Sequence, residues 1–155
     1  NERAKEALQE VVSKEMNCPS CYINGFILAV GDEGDLGLAE EMVSWLRDSP
    51  SIINDKGVRF LYLRTAGHLE LRLGNYEDAA YLLEAAIELE GHDSHVHMLL
   101  AETEVAREKI SSARKHAEKS LAMSSPMSLT KYSGVADRIL RGEAVYGEKL
   151  KQGAP

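Results

Sequence analysis

The chain of 155 residues is 44% hydrophobic and 28% charged, enough apolar material for one domain with a real core and too much for a disordered one. Its net charge of −7 argues against a nucleic-acid groove, which needs clustered Lys and Arg facing phosphate. No run approaches the ~18 consecutive apolar residues of a membrane span, and the charged, helix-like start N-E-R-A-K-E-A-L is unlike a signal peptide.

The first residue is not Met, as expected of a processed protein or an excised domain. Targeting information is then expected to have been removed, so localisation is open, with a soluble, cytoplasmic setting slightly favoured. The charge is uneven. Residues 1–59 carry 11 acidic and 6 basic groups, residues 60–127 carry 11 and 7, and residues 128–155 carry 3 and 5. Ordinary solvated helix faces account for this, with a weakly basic C-terminal segment docking on an acidic partner as the alternative.

In chain order, residues 2–16 read as a helix with Ala4, Ala7, Leu8, Val11 and Val12 on one face. Cys18 and Cys21 follow in C-P-S-C. A structural zinc normally takes four ligands, and a redox C-x-x-C belongs to a βαβ context. Incidental thiols or a short-loop disulfide are therefore favoured over a redox pair or a metal shared between chains.

Pro19 suits the first turn of a helix, and an apolar helix is expected from Tyr22 to about Gly31. After the turn G-D-E-G-D come a helix from Leu38 to Arg47, a stop at Asp48-Ser49-Pro50, and the irregular stretch S-I-I-N-D-K-G. A long helix is expected from about Val58 to Leu73, then the turn Gly74-Asn75 and a helix over Glu77–Leu89. Asp93 or Ser94 is the expected N-cap of a helix reaching about Arg107, which pairs with Ile110–Met123. Ser124-Ser125-Pro126 breaks the chain, Ser128 caps a helix to about Arg141, and a short helix from Glu143 to Lys151 follows Gly142. Nothing alternates like a strand. The expected class is all-α.

The turns repeat. G-D-L-G-L-A from Gly34, G-N-Y-E-D-A from Gly74, E-K-I-S-S-A from Glu108 and G-E-A-V-Y-G from Gly142 each place an apolar or small residue two positions on and Ala or Gly five positions on. Their spacings are 40, 34 and 34, so the first interval holds an insertion of six residues. Leu36, Tyr76 and Ile110 should start the second helix of each pair. Ala39, Ala79, Ala113 and Gly147, with Gly67 and Ala101 opposite, should be small because the paired helices cross closely. One pair cannot bury its apolar face, so neighbouring pairs must stack into a solenoid.

On these residues the chain resembles the tetratricopeptide repeat family over nearly its whole length. The best unit is residues 60–93, with Gly67, the G-N-Y turn, Ala79, Leu83, Ala86 and Leu89. Residues 94–127 depart from it, with Glu108 where Gly is usual and Ser120 where Ala is usual. The aromatic residue common near the start of a repeat is replaced by Ile23, Leu63 and His97, and the closing proline of the third unit by Gly91.

The resemblance implies a single domain, a right-handed α-α superhelix of antiparallel helix pairs. Its parts would be an N-terminal helix in 1–17, repeats at 20–53, 60–93 and 94–127, an insertion at 54–59, and a partial closing repeat at 128–152. It also implies a concave surface lined by the first helix of each pair, where a peptide or helix of a protein partner is held. Helical phase then nominates Asn24 and Leu28, then Leu61, Arg64, His68 and Leu71, then His95, Met98, Glu102 and Val105. The terminal helix adds Leu129, Tyr132 and Ile139. The carboxylate clamp of Lys, Asn and Arg used by co-chaperones of the family is missing, because residues such as Asn24, Leu28, His95 and Leu99 stand there. An apolar floor with Arg64, His68 and Glu102 as handles suits an amphipathic helix or an extended apolar segment. Filling of the groove by the chain's own terminal helices is the alternative.

His92, His95 and His97 cluster in sequence, but residues two apart on a helix differ by about 200° around its axis. Ordinary helix-start and groove histidines are expected rather than metal ligands. Trp45 should be covered by Ile52 and Ile53 or else form an exposed contact site. No nucleophile–base pair, phosphate loop or ligand set stands out, so neither catalysis nor a cofactor is expected. Two function classes remain: a module binding a protein partner, and a self-associating assembly domain of a larger, bacterial-type protein.

Overall fold

The computed structural model describes residues 6, 10, 19–31, 34–47, 49, 52 and 54–141. The expectations for the helix over 2–16, Cys18, the side chains of Cys21 and Trp45, Ile53, Gly147 and the closing helix lie outside the described residues. Among them, seven long helices run in order: α1 (Pro19–Val30), α2 (Leu36–Arg47), α3 (Lys56–Leu73), α4 (Tyr76–Leu89), α5 (Ser94–Ala106), α6 (Ile110–Met123) and α7 (Pro126–Leu140). Among the described residues there is no strand.

Consecutive helices form the pairs α1–α2, α3–α4 and α5–α6, and α7 packs on both α5 and α6. The first helices also touch one another in the series α1–α3–α5–α7, which is the stacking of an all-α solenoid. Leu36, Tyr76 and Ile110 begin the second helices, as the repeat spacing implied.

Local chemistry explains the boundaries. Asp55 caps α3 by accepting hydrogen bonds from the Gly57 and Val58 amides at 2.8 and 3.1 Å. Residues 56–59 of the stretch read as an insertion are thus the first turn of α3. Gly74, at φ 85°, ends that helix, while the Asn75 amide bonds back to the Glu70 carbonyl at 2.9 Å. The expected cap of the last long helix is corrected. Ser125, not Ser128, caps α7, and Pro126 takes the first helical position, where a missing N–H costs nothing.

The core has three linked parts. Tyr22, Phe26, Met42 and Leu46 fill the first pair and meet Ala66 and Leu69 of α3. Leu71, Ala79, Leu83, Val96 and Leu100 join α3, α4 and α5. Met98, Ala101, Val105, Ala113, Tyr132 and Ile139 join α5, α6 and α7. α5 is the centre of the stack, buried without interruption from Val96 to Val105. The side chain of Arg72 locks α3 to α1 by donating to the Val30 carbonyl at 2.8 Å and to that of Gly31, satisfying acceptors at the end of α1.

Candidate functional site: a cleft on the face of the first helices

A cleft of about 170 Å³ opens where α1, α3 and α5 meet, lined by Ile27 and Gly31, by Arg64, Thr65 and His68, and by His95 and Leu99. Three of the nominated residues, Arg64, His68 and His95, therefore come together. The Arg64 guanidinium lies 5.7 Å over the Phe60 ring and reaches Asp93 at 3.4 Å, leaving the cation at the cleft wall. Asp93 is held in turn by capping α5, its other oxygen accepting from the Val96 amide at 2.9 Å.

The rings of His68, His95 and Tyr132 form a row. His68 meets His95 edge-on at 6.0 Å, and His95 stacks on Tyr132 at 6.0 Å. Burial, with Asp93 and Glu102 nearby, pushes the Tyr132 phenol above its ordinary value despite Arg64, so it stays a neutral O–H.

The other nominated residues divide by exposure. Asn24 is exposed, Leu28 is 61% exposed, and Leu61 is half-buried against the first core. Leu71, Met98, Val105, Tyr132 and Ile139 are core, and Glu102 is buried. Helical phase nominated them as groove-lining residues, but phase does not say what packs next. α7 lies on α5 and takes Met98 and Val105 into a shared core with Tyr132, Ala136 and Ile139. Leu71 is in the last turn of α3, where α4 and α5 close over it. Ile27, Gly31 and Thr65 were missed as lining residues. They sit three or four positions from Asn24, Leu28, Leu61 and His68, so the same helical phase contained the signal. The Thr65 hydroxyl is already committed to the Leu61 carbonyl at 2.8 Å.

The histidines diverge as their spacing required. His92 is exposed in the turn, His95 faces the cleft, and His97 is buried on the other side against His116 of α6. His97 Nε2 is 3.2 Å from the Gly91 carbonyl, which can only accept. Nε2 must therefore carry the proton, and His97 Nδ1 then accepts from the Nδ1–H of His116 at 2.9 Å. Burial lowers both imidazoles from 6.5, with Lys119 acting the same way, and His116 falls to about 4. This neutral pair was not legible because His116 is 19 residues away.

Among the described residues, no group of three or more His, Cys, Asp or Glu could hold a metal ion, and no helix is long and apolar enough to cross a membrane. Comparison with known proteins gives one family match: residues 70–122, about a third of the chain, match the Tetratricopeptide repeat model. No curated protein and no solved structure matches the chain. The matched segment runs from the last turn of α3 to the end of α6, and the same packing of helix pairs continues before it. The chain is a tetratricopeptide-like repeat protein, and what that repeat suggests is a protein–protein interaction module.

Proposed function

We propose that the protein is a non-catalytic module that holds a peptide or helix of a partner protein on the face of α1, α3 and α5, with Arg64, His68 and His95 as its polar handles. The observation that carries this reading is the cleft itself, an opening between first helices that brings a cation and two imidazoles beside apolar Ile27 and Leu99. Such a surface suits an amphipathic or extended segment, with the polar groups fixing its orientation. Exposed Asn24 and Leu28 extend the surface along α1. Met98, Glu102, Val105, Tyr132 and Leu71 are buried and offer little contact area, and Tyr132 backs His95 by stacking on its ring.

Panning a displayed library of short peptides on the full chain tests this. Enriched peptides should lose binding to an Arg64→Ala, His95→Ala variant whose thermal melt stays close to that of the parent. Peptides that bind the variant equally well would remove the cleft from the interaction.

A further inference from the structure

The second helices carry a charge arrangement that neither the stacking nor the cleft uses. α4 has four carboxylates and no basic residue. Glu77, Asp78, Glu84 and Glu88 are all exposed, and Tyr81 among them is 73% exposed. α6 is the reverse, with Arg114, Lys115 and Lys119 exposed and Glu118 as its single carboxylate. Among the described residues, Glu77 is the one of these charges engaged in an ion pair, to Arg107. Ordinary soluble surfaces intersperse the two signs. Here the signs are segregated by helix.

Both helices present this face in the same sense. The repeat spacing of 34 puts Tyr81 and Lys115 at equivalent positions. The residues turned inward, Ala79 and Leu83 on α4 and Ala113 and Ala117 on α6, are equivalent as well and all buried. An acidic ridge and a basic ridge thus lie on successive outer helices. A two-fold axis running between them, parallel to both, would set each α4 on the α6 of another copy. That arrangement is self-complementary and closes on itself.

We infer that this outer face binds a second copy of the chain, with α4 of each copy lying on α6 of the other. Complementary ridges set the register of the contact, and Tyr81 supplies an amphipathic ring of the kind enriched at interface anchors. Exposed ion pairs are individually weak and are screened by salt. The association should therefore be salt-sensitive.

Sedimentation velocity with light scattering on the full chain is the test. At about 50 mM salt the chain should run at twice its 17.1 kDa mass, and at roughly 500 mM, where screening is several-fold shorter, as the monomer. A Lys115→Glu, Lys119→Glu variant has two acidic ridges and should be monomeric. A Glu84→Lys, Glu88→Lys variant keeps Glu77 and Asp78, so its α4 has no net charge and sets two lysines against the basic α6; it should also be monomeric. Mixed together, the two variants should form a heterodimer, which also reports that both are folded. A monomeric parent at low salt, variants that dimerise like the parent, or a mixture that stays monomeric would each overturn the inference.

Discussion

The hairpins α3–α4 and α5–α6 are successive copies of one design, and they reach nearly the same geometry with different chemistry. At the crossing of α3 and α4, a Cβ added to Gly67 would lie 2.7 Å from Leu83 Cγ, closer than real side chains allow. At the equivalent crossing, Ala101 has that methyl, and Ala117 stands in the position of Leu83. Volume is traded across the contact, so the helices can cross closely in both. At the turns, Gly74 has φ 85° and Glu108 has φ 59°. The Lys109 amide returns to the Glu104 carbonyl at 2.8 Å, as that of Asn75 does to Glu70. Leu63 and Leu82 of the first hairpin are replaced by the bonded pair His97 and His116. Buried Ala86 is replaced by buried Ser120, whose hydroxyl donates to the Ser94 carbonyl at 2.6 Å. A repeat conserves backbone geometry and local volume, while residue identity can vary if its partner varies with it.

The largest test of that comparison is at the crossing. Leu83→Ala should destabilise the protein by about 2–5 kcal/mol through the cavity it leaves. Gly67→Ala should cost about 1–3 kcal/mol by overpacking, offset in part by about 1 kcal/mol of helix propensity. The double variant, which copies the Ala101–Ala117 arrangement, should cost less than the sum in urea unfolding. Additive losses would show that the two sites do not trade volume.

The second test separates the hairpins by pH. Both imidazoles have folded pKa values below the unfolded 6.5, so the unfolded chain binds more protons in acid. The contribution of the pair is complete above pH 6.5 and is lost as pH falls toward about 4, the value for His116. Groups facing the pair include Lys119 on α6, Glu104 on α5, and Asp93 and His92 in the preceding turn. The melting temperature should fall across this window. In a His97→Leu, His116→Leu variant, which restores the residues of the first hairpin, the fall should be shallower. An unchanged pH profile would mean that the pair does not govern it.

Smaller effects are expected at the turns. Glu108→Gly removes a side chain from the left-handed region and should stabilise by about 0.5–1 kcal/mol, whereas Gly74→Ala should destabilise by about 1 kcal/mol. Equal effects of the same sign in denaturant titrations would show that the turns are not equivalent. Ser120→Ala, which gives α6 the residue of α4, should cost about 0.5–1.5 kcal/mol for the lost hydrogen bond.

Much of this architecture was readable in the chain, for local reasons. The starts of α2, α4 and α6 follow from turn residues at fixed distances from a small residue, and the Asp93 cap from its position before an apolar run. The start of α3 was harder to place because S-I-I-N-D-K-G looks irregular until Asp55 is recognised as a cap. Of the nominated surface, Arg64, His68 and His95 meet at one cleft, whereas Leu71, Met98 and Val105 are covered. Phase places a side chain on a face, but coverage depends on the neighbouring helix.

The sequence by itself determined the all-helical class, the period of the repeat and the small residues at the crossings, because backbone turns and close contacts restrict residue type locally. Only the tertiary structure decided that α7 takes Met98 and Val105 into a core with Tyr132. It alone placed His97 against His116 and left the charged faces of α4 and α6 exposed. Those outcomes depend on which helices pack together and at what rotation, and every helix contributes to that sum.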